Sequence, residues 1–442
     1  MQDTVRTVYG EVKGTQRDGV RLFAGIPFAA PPVGERLFRH PVQPEPWEGV
    51  LDASRGRENP VQSKGRHGVS NSSLDCLYLN VFVPEKAEMP LPVMVWFYGG
   101  SYKEGGTGAT EKGSEELALD ASRFARETGC VTVTFNYRVN LAGFLYLHGL
   151  DPSFDSNNGL YDQILALRFV RENIAAFGGD PGSVTLFGQS AGSACILALM
   201  QMDEAAGLFD KVIIQSACAE HFFTPKEGIR YAKRYLRFAK VRTPEKLSQL
   251  SIEAVEEANK KFASSFRKRG DSRCAFSPVV DGETLKERPA EAAIRGTIPM
   301  LIGNVAEEAR LFTDRIPDRA LRVAAWYFHM RPRKEGASYR ERVMKGLMDE
   351  LYLDPLRRIA DAYSGSVWRY EYRYVMPGSR NGCCHASELP VLFDDYGSWK
   401  CADDPETQRV GRTLRQIWGA FAKTGDPGWE EYAAGGTPHV IE

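Results

Sequence analysis

Of 442 residues only eight are cysteine, and no two of them stand in a CxxC spacing. That argues against a disulfide framework and gives no sign of a zinc or dithiol centre. Reduced thiols are expected, with no metal or organic cofactor. Charge of one sign is also lacking: 56 basic against 57 acidic residues leave a formal net charge of −1. Such a balance has nothing to attract nucleic acid or an anionic membrane surface. No apolar run is long enough to span a bilayer, and the opening Met1-Gln-Asp-Thr-Val-Arg6 has no signal-peptide character. A cytoplasmic protein without a membrane or nucleic-acid partner is the expectation. Repeats, low-complexity tracts and linker-like stretches are absent too, so one domain over residues 1–442 is the simplest account. What the chain has is core material, 43% hydrophobic against 26% charged residues.

Apolar runs rich in β-branched residues recur at 77–83, 92–98, 131–137, 183–187, 211–215, 299–303 and 367–374, and their length and composition suit buried strands. Helix-like segments lie between them, one from about Ser114 to Thr128 and a longer one over 161–177. That alternation predicts βα units and a largely parallel central sheet. Clustered prolines and glycines from Ala24 to Gly34 force an irregular surface path. Residues 226–273 are basic, with Lys233, Arg234, Arg237, Lys240, Lys260, Lys261, Arg267, Lys268 and Arg269. Such runs are more often solvated helix faces than anion sites, and that reading is preferred.

One stretch organises the rest. Ser183-Val-Thr-Leu-Phe187 reads as a strand, Gly188-Gln-Ser-Ala-Gly192 as an abrupt turn, and Ile196, Leu197, Leu199 and Met200 as a helix that begins at once. Strand, Gly-x-Ser-x-Gly turn and helix is the context in which a serine hydroxyl is pushed out of a sheet as a nucleophile. The glycines are needed because a side chain at either position would crowd the turn.

Serine at its free pKa is a poor nucleophile and needs a base, an orienting acid and donors for an oxyanion. In this chain order the base follows the acid, and three histidines lie far enough downstream: His329, His385 and His439. His329 sits away from any strand end and His439 is close to the C-terminus. His385, in the loop after the last long strand, is the best candidate. Glu307 and Glu308 follow the strand 299–303; either carboxylate can reach the far nitrogen of a histidine, and the residues alone do not choose between them. Gly99-Gly-Ser101 at the end of strand 92–98, with Ala191 after the nucleophile, offers backbone N–H groups for an oxyanion.

Several further stretches carry a family likeness: Phe23 to Gly34, Asp75 to Val81, Tyr98 to Gly100, Asn158 to Gln163 and Glu172 to Pro181. In this order they make the chain resemble the type-B carboxylesterases, the family of cholinesterases and bacterial para-nitrobenzyl esterases, from about Gly10 to Ile441. The resemblance implies an α/β-hydrolase fold: a mostly parallel mixed sheet flanked by helices, with helical insertions over the pocket. It implies hydrolysis of a small-molecule ester by a Ser190, His385, Glu308 triad through an acyl-enzyme, in a monomer or small homo-oligomer. The family's oxyanion amides fall on Gly100, Ser101 and Ala191. Ser216 and Glu388 match positions that usually hydrogen-bond near the acid and base.

Departures from the family pattern shape the remaining expectations. Gln189 stands where the family often has glutamate, and Ser101, Ala309 and Ala386 stand where it has glycine. Cys76 matches a half-cystine whose usual partner near Glu58 to Pro60 is missing, and Cys383 and Cys384 are adjacent. All eight thiols are therefore expected free. The short loop 61–75 contains no tryptophan, so the aromatic face that would hold a choline headgroup is absent. Neutral esters of small to medium size are expected as substrates, with Phe222 and Phe223 the alternative aromatic residues for a cation. The short interval from Glu308 to His385 suggests trimmed insertions over the pocket.

Overall fold

The structure, a computed structural model, describes residues 3–62, 71–85, 89–111, 116–267, 274–314, 316–327, 330–396 and 401–442. Ten strands form its main sheet. In chain order they are β1 (Thr15–Arg17), β2 (Val20–Pro27), β3 (Tyr78–Pro84), β4 (Leu91–Phe97), β5 (Val131–Phe135), β6 (Gly179–Gln189), β7 (Lys211–Gln215), β8 (Met300–Val305), β9 (Val367–Tyr372) and β10 (His439–Ile441). Their order across the sheet is β10-β9-β8-β7-β6-β4-β5-β3-β2-β1. Every pair from β10 to β5 is parallel, and β5-β3, β3-β2 and β2-β1 are antiparallel. This is the mixed, mostly parallel sheet that the sequence pattern predicts. Central strands read as unbroken apolar runs because both faces are covered: Val184, Thr185, Leu186 and Phe187 of β6 are all fully buried.

Helices α1 (Ser122–Thr128), α2 (Asn158–Asn173), α3 (Ala191–Leu199), α4 (Pro225–Phe238), α5 (Ile252–Arg267), α6 (Asp318–Tyr327), α7 (Tyr339–Met348), α8 (Asp354–Ala362) and α9 (Pro405–Thr424) flank or extend the sheet. One layer pairs α1 with α9 and the other pairs α2 with α3. The segment expected to be helical from Ser114 is not so throughout. Residues 112–115 lie outside the described residues, and helix begins only at Ser122. Leu117 is drawn into a bridge with Ala109, and Asp120 accepts the Ser122 N–H at 2.9 Å in the turn that precedes the helix. The family-like stretch at Asn158 serves the core: Asp162 forms a buried pair with Arg138 at 2.6 Å, and Arg138 also donates to the Leu37 carbonyl at 2.9 Å.

The basic run lies on solvated helix faces. Lys233, Arg237, Lys240, Lys260 and Lys261 are exposed, while α4 buries Tyr231 and Tyr235 on its other side. Lys268, Arg269 and the side chain of Arg267 fall outside the described residues. No helix of the described residues is long and apolar enough to cross a membrane, and no metal-holding cluster occurs among them.

Candidate active site

The two glycines around Ser190 are explained by close approach. A β-carbon on Gly188 would come within 2.8 Å of the Phe97 carbonyl oxygen, and one on Gly192 within 2.1 Å. With strand and helix pressed this tightly together, the residue between takes the strain: Ser190 has φ 57° and ψ −121°, outside the ordinary regions for a side-chain-bearing residue. Ser193 ties the turn down, its hydroxyl donating to the Gln215 carbonyl at 3.1 Å and accepting the Gln215 N–H at 2.8 Å.

The other candidate groups arrive at the same edge because parallel strands end together. β4 runs into Gly99-Gly-Ser101, β6 into Ser190, β7 into Ser216 and β8 into Glu308, and His385 follows β9. The carboxyl ends of parallel strands are where α/β sheets hold ligands. Ser190 is 5% exposed, His385 8% and Glu308 fully buried. Glu308 Oε2 lies 2.5 Å from His385 Nδ1, while its Oε1 accepts the Val305 N–H at 3.0 Å. Glu307 turns away: it pairs with Arg310 at 3.0 Å and accepts the Cys383 N–H at 3.0 Å. Of the two glutamates, Glu308 is the one brought to the histidine. Burial pushes the His385 imidazolium down, but the Glu308 charge and hydrogen bond outweigh it, and the net direction is upward from 6.5.

His385 Nε2 faces a different group from the one expected. The Gln189 amide nitrogen sits 3.1 Å from it, and the Ser190 hydroxyl lies 3.5 Å from Cys218 Sγ. No hydrogen bond joins Ser190 Oγ to His385 among the described residues. With Gln189 donating to Nε2, the imidazole proton is on Nδ1 and directed at Glu308.

At the loop after β4, Gly100 has φ 106° and its missing β-carbon would overlap the Glu104 carbonyl oxygen at 2.0 Å. Ser101 follows at φ 57°, in the left-handed region that glycine occupies most readily. None of the hydrogen bonds among the described residues uses the N–H of Gly100, Ser101 or Ala191.

Around this centre the expected supporting contacts differ in detail. The Ser216 N–H donates to the Gly303 carbonyl at 2.8 Å, but its buried hydroxyl has no partner among the described residues. Glu388 accepts from Gln215 Nε2 at 3.4 Å, and Trp418 Nε1 in turn donates to Gln215 Oε1 at 3.2 Å. Burial and then the Glu308 charge push the Glu388 carboxyl up from 4.5 to about 7.

Three neighbours of the centre were not indicated by sequence. Tyr352, from the π-helical segment Asp349–Leu353 that joins α7 to α8, packs its ring 4.8 Å from the His385 ring, and Phe312 lies 6.0 Å from it. Cys218 is the third. These aromatics come from the insertion between β8 and β9, so that insertion does border the centre. Phe223 packs instead on Tyr231 and Phe266, in the insertion after β7. His439 stacks on Trp429 in the β10 region, and His329 lies outside the described residues. Most of loop 61–75 is outside them as well. None of the eight cysteines is in a disulfide, and seven of them are buried.

A sequence profile of the Carboxylesterase family matches residues 1–325. The chain is 35% identical to the para-nitrobenzyl esterase of Bacillus subtilis (strain 168), across 96% of this chain and 91% of that protein. It is 32% identical to the phenmedipham hydrolase of Pseudarthrobacter oxydans, across 95% and 90%. A solved PNB esterase structure superposes with a TM-score of 0.87 at 33% identity, covering 100% of this chain and 96% of that one.

Proposed function

The chain belongs to the carboxylesterase family and hydrolyses carboxylic esters, and from that premise we propose that it does so through Ser190, His385 and Glu308. The observation that carries the assignment is the buried 2.5 Å contact between Glu308 and His385, whose other ring nitrogen lies 3.1 Å from Gln189, the residue before the strained Ser190. In the reaction the Ser190 hydroxyl leaves Cys218, gives its proton to His385 Nε2 in place of the Gln189 amide, and attacks the ester carbonyl. Glu308 holds the Nδ1 proton and stabilises the imidazolium that forms. The amides of Gly100, Ser101 and Ala191 hold the tetrahedral oxyanion. His385 then protonates the leaving alkoxide, and water attacks the acyl-enzyme by the same path reversed. Catalytic hydrogen bonds are often loose without substrate, so the resting Gln189 contact is compatible with this sequence.

The substrates are neutral esters of small to medium size, and the aromatic faces of Tyr352 and Phe312 support an apolar contact beside His385. A cytoplasmic monomer or small homo-oligomer completes the reading, supported by eight free thiols. Turnover of nitrophenyl esters by Ser190→Ala and His385→Ala proteins tests the mechanism. Both should lose roughly 10⁴-fold with the fold intact, and an organophosphonate should label Ser190. Label on another serine, or normal turnover in either variant, overturns the assignment.

A further inference from the structure

Helix α6 carries apolar side chains on both of its sides. Leu321 and Ala325 are buried with Val343 of α7 in a small core separate from the main one. Arg319, Arg322, Val323 and Trp326 follow the spacing i, i+3, i+4, i+7, which lines them along the opposite side, and Tyr327 continues it. The outward side of a packed helix is ordinarily polar. Here Val323 is 67% exposed and Trp326 78%, the two most exposed large apolar side chains among the described residues. An exposed apolar face of this kind marks a place where something binds.

Positive charge gathers on the same insertion. Residues 318–345 hold eight basic against three acidic residues, in a chain whose formal net charge is −1. Arg333, Arg340 and Lys345 are paired with carboxylates. Arg319, Arg322, Arg331 and Lys334 are exposed and make no ion pair among the described residues. The balance of the whole chain gives no reason to expect an anionic surface as partner, but this stretch alone does.

The face also borders the active centre. Phe312, whose ring lies 6.0 Å from that of His385, is itself exposed. Arg340 ties its turn to α6, donating to the carbonyls of Thr313 at 2.7 Å and Ile316 at 2.6 Å while pairing with Asp318. A second copy of the chain is a poor occupant, since a two-fold contact would set Arg319 and Arg322 against themselves. Indole among guanidinium groups on a convex helix side suits the headgroup region of a bilayer, where tryptophan settles and arginine meets phosphate.

We propose that the outward side of α6 docks on an anionic phospholipid surface, with Trp326 and Val323 among the headgroups and Arg319 and Arg322 on lipid phosphates. The contact is peripheral, because a helix of ten residues lies in the interface and does not span it. Docking sets the ester centre beside the bilayer, into which apolar esters partition. It does not depend on which residues carry out the hydrolysis.

The test sediments the full chain with sucrose-loaded vesicles of phosphatidylglycerol and phosphatidylcholine, and with vesicles of phosphatidylcholine alone. The protein should sediment with the anionic vesicles at low salt, and at least about tenfold less with the neutral ones or in about 0.5 M sodium chloride. Trp326→Ala and the double variant Arg319→Glu, Arg322→Glu should each lower partitioning by at least about tenfold. Turnover of nitrophenyl acetate should stay unchanged in both, which reports an intact fold. No sedimentation with anionic vesicles, equal sedimentation with neutral ones, or undiminished binding by either variant overturns the proposal. A dimer that Trp326→Ala dissociates in analytical ultracentrifugation assigns the face to a second copy and overturns it as well.

Discussion

Replacing Glu388 with glutamine should stabilise the protein in one pH range and not in another. The carboxyl is 1% exposed and close to the Glu308 charge, and the two effects hold it at about 7 in place of 4.5. A carboxyl raised on folding keeps its proton between those values while the unfolded chain has released it. Stability is therefore unaffected below about 4.5, falls as the pH climbs to about 7, and stays lowered above that. At about 1.4 kcal/mol per pH unit, the interval from 4.5 to about 7 amounts to a loss of about 3 kcal/mol.

Glutamine does not titrate, and its oxygen can still accept from Gln215. It leaves an amide where Glu388 Oε2 now has no partner among the described residues, but that change weighs equally at all pH values. Denaturant unfolding of both proteins at pH 5 and pH 8 isolates this titration, because ionisable groups remote from Glu388 cancel in the difference between them and only its close neighbours His385 and Glu308 change with it. The advantage of Glu388→Gln should grow by about 2–3 kcal/mol from the lower pH to the higher. A gap that does not change with pH, or one that narrows on the alkaline side, refutes the buried-carboxyl argument.

The acid limb of kcat/KM should lie above pH 6.5, because neutral His385 is the base and Glu308 raises it. Glu388→Gln removes another charge that raises it, so the limb should move to lower pH; a limb unmoved or moved upward rejects that coupling. Ala386 is held at φ 69°, so Ala386→Gly should stabilise by up to about 1 kcal/mol once the extra freedom of glycine in the unfolded chain is counted; a lower melting temperature contradicts this. Because Gln189 is uncharged, a butyrylcholine ester should gain less than about tenfold in kcat/KM (1.4 kcal/mol) over its isosteric dimethylbutyl ester, and a larger preference reveals a cation site.

The parts of the fold most legible in sequence are those in which one residue pattern has one physical solution. Lys211–Gln215 and the apolar half of β6 are buried on both faces, so their composition alone marks them as central strands. Around Ser190, the Gly-x-Ser-x-Gly pattern marks the turn by itself, although the backbone contacts that exclude a side chain come from Phe97 at the end of β4. Glu307 and Glu308 stayed ambiguous because both follow β8; what separates them is Arg310 and the Cys383 N–H, which draw Glu307 outward. Ala386 reads as a neutral replacement of glycine until its positive φ is known. Tyr352 and Phe312 carry no spacing signal at all, since an insertion delivers them to His385 from far along the chain.

Cys218 shows how much of the centre follows from register. β6 and β7 are parallel with Gln189 opposite Gln215, and the Ser190 N–H donates to the Gln215 carbonyl at 2.9 Å. Whatever emerges just after β7 must then lie beside the serine. The same turn that thrusts Ser190 forward puts its predecessor, Gln189, within reach of His385, and in the resting centre each reactive group is held by a neighbour: His385 Nε2 by Gln189 at 3.1 Å, and Ser190 Oγ by Cys218 at 3.5 Å. The firm contact is the one between acid and base, 2.5 Å long and buried. In the mechanism proposed above, a substrate carbonyl seated on the amides of Gly100, Ser101 and Ala191 needs only the serine hydroxyl and the Gln189 amide to turn, while Glu308 and His385 remain in place. Preorganisation thus resides in the pair that must stabilise the imidazolium, and the looser contacts are the ones that the reaction replaces.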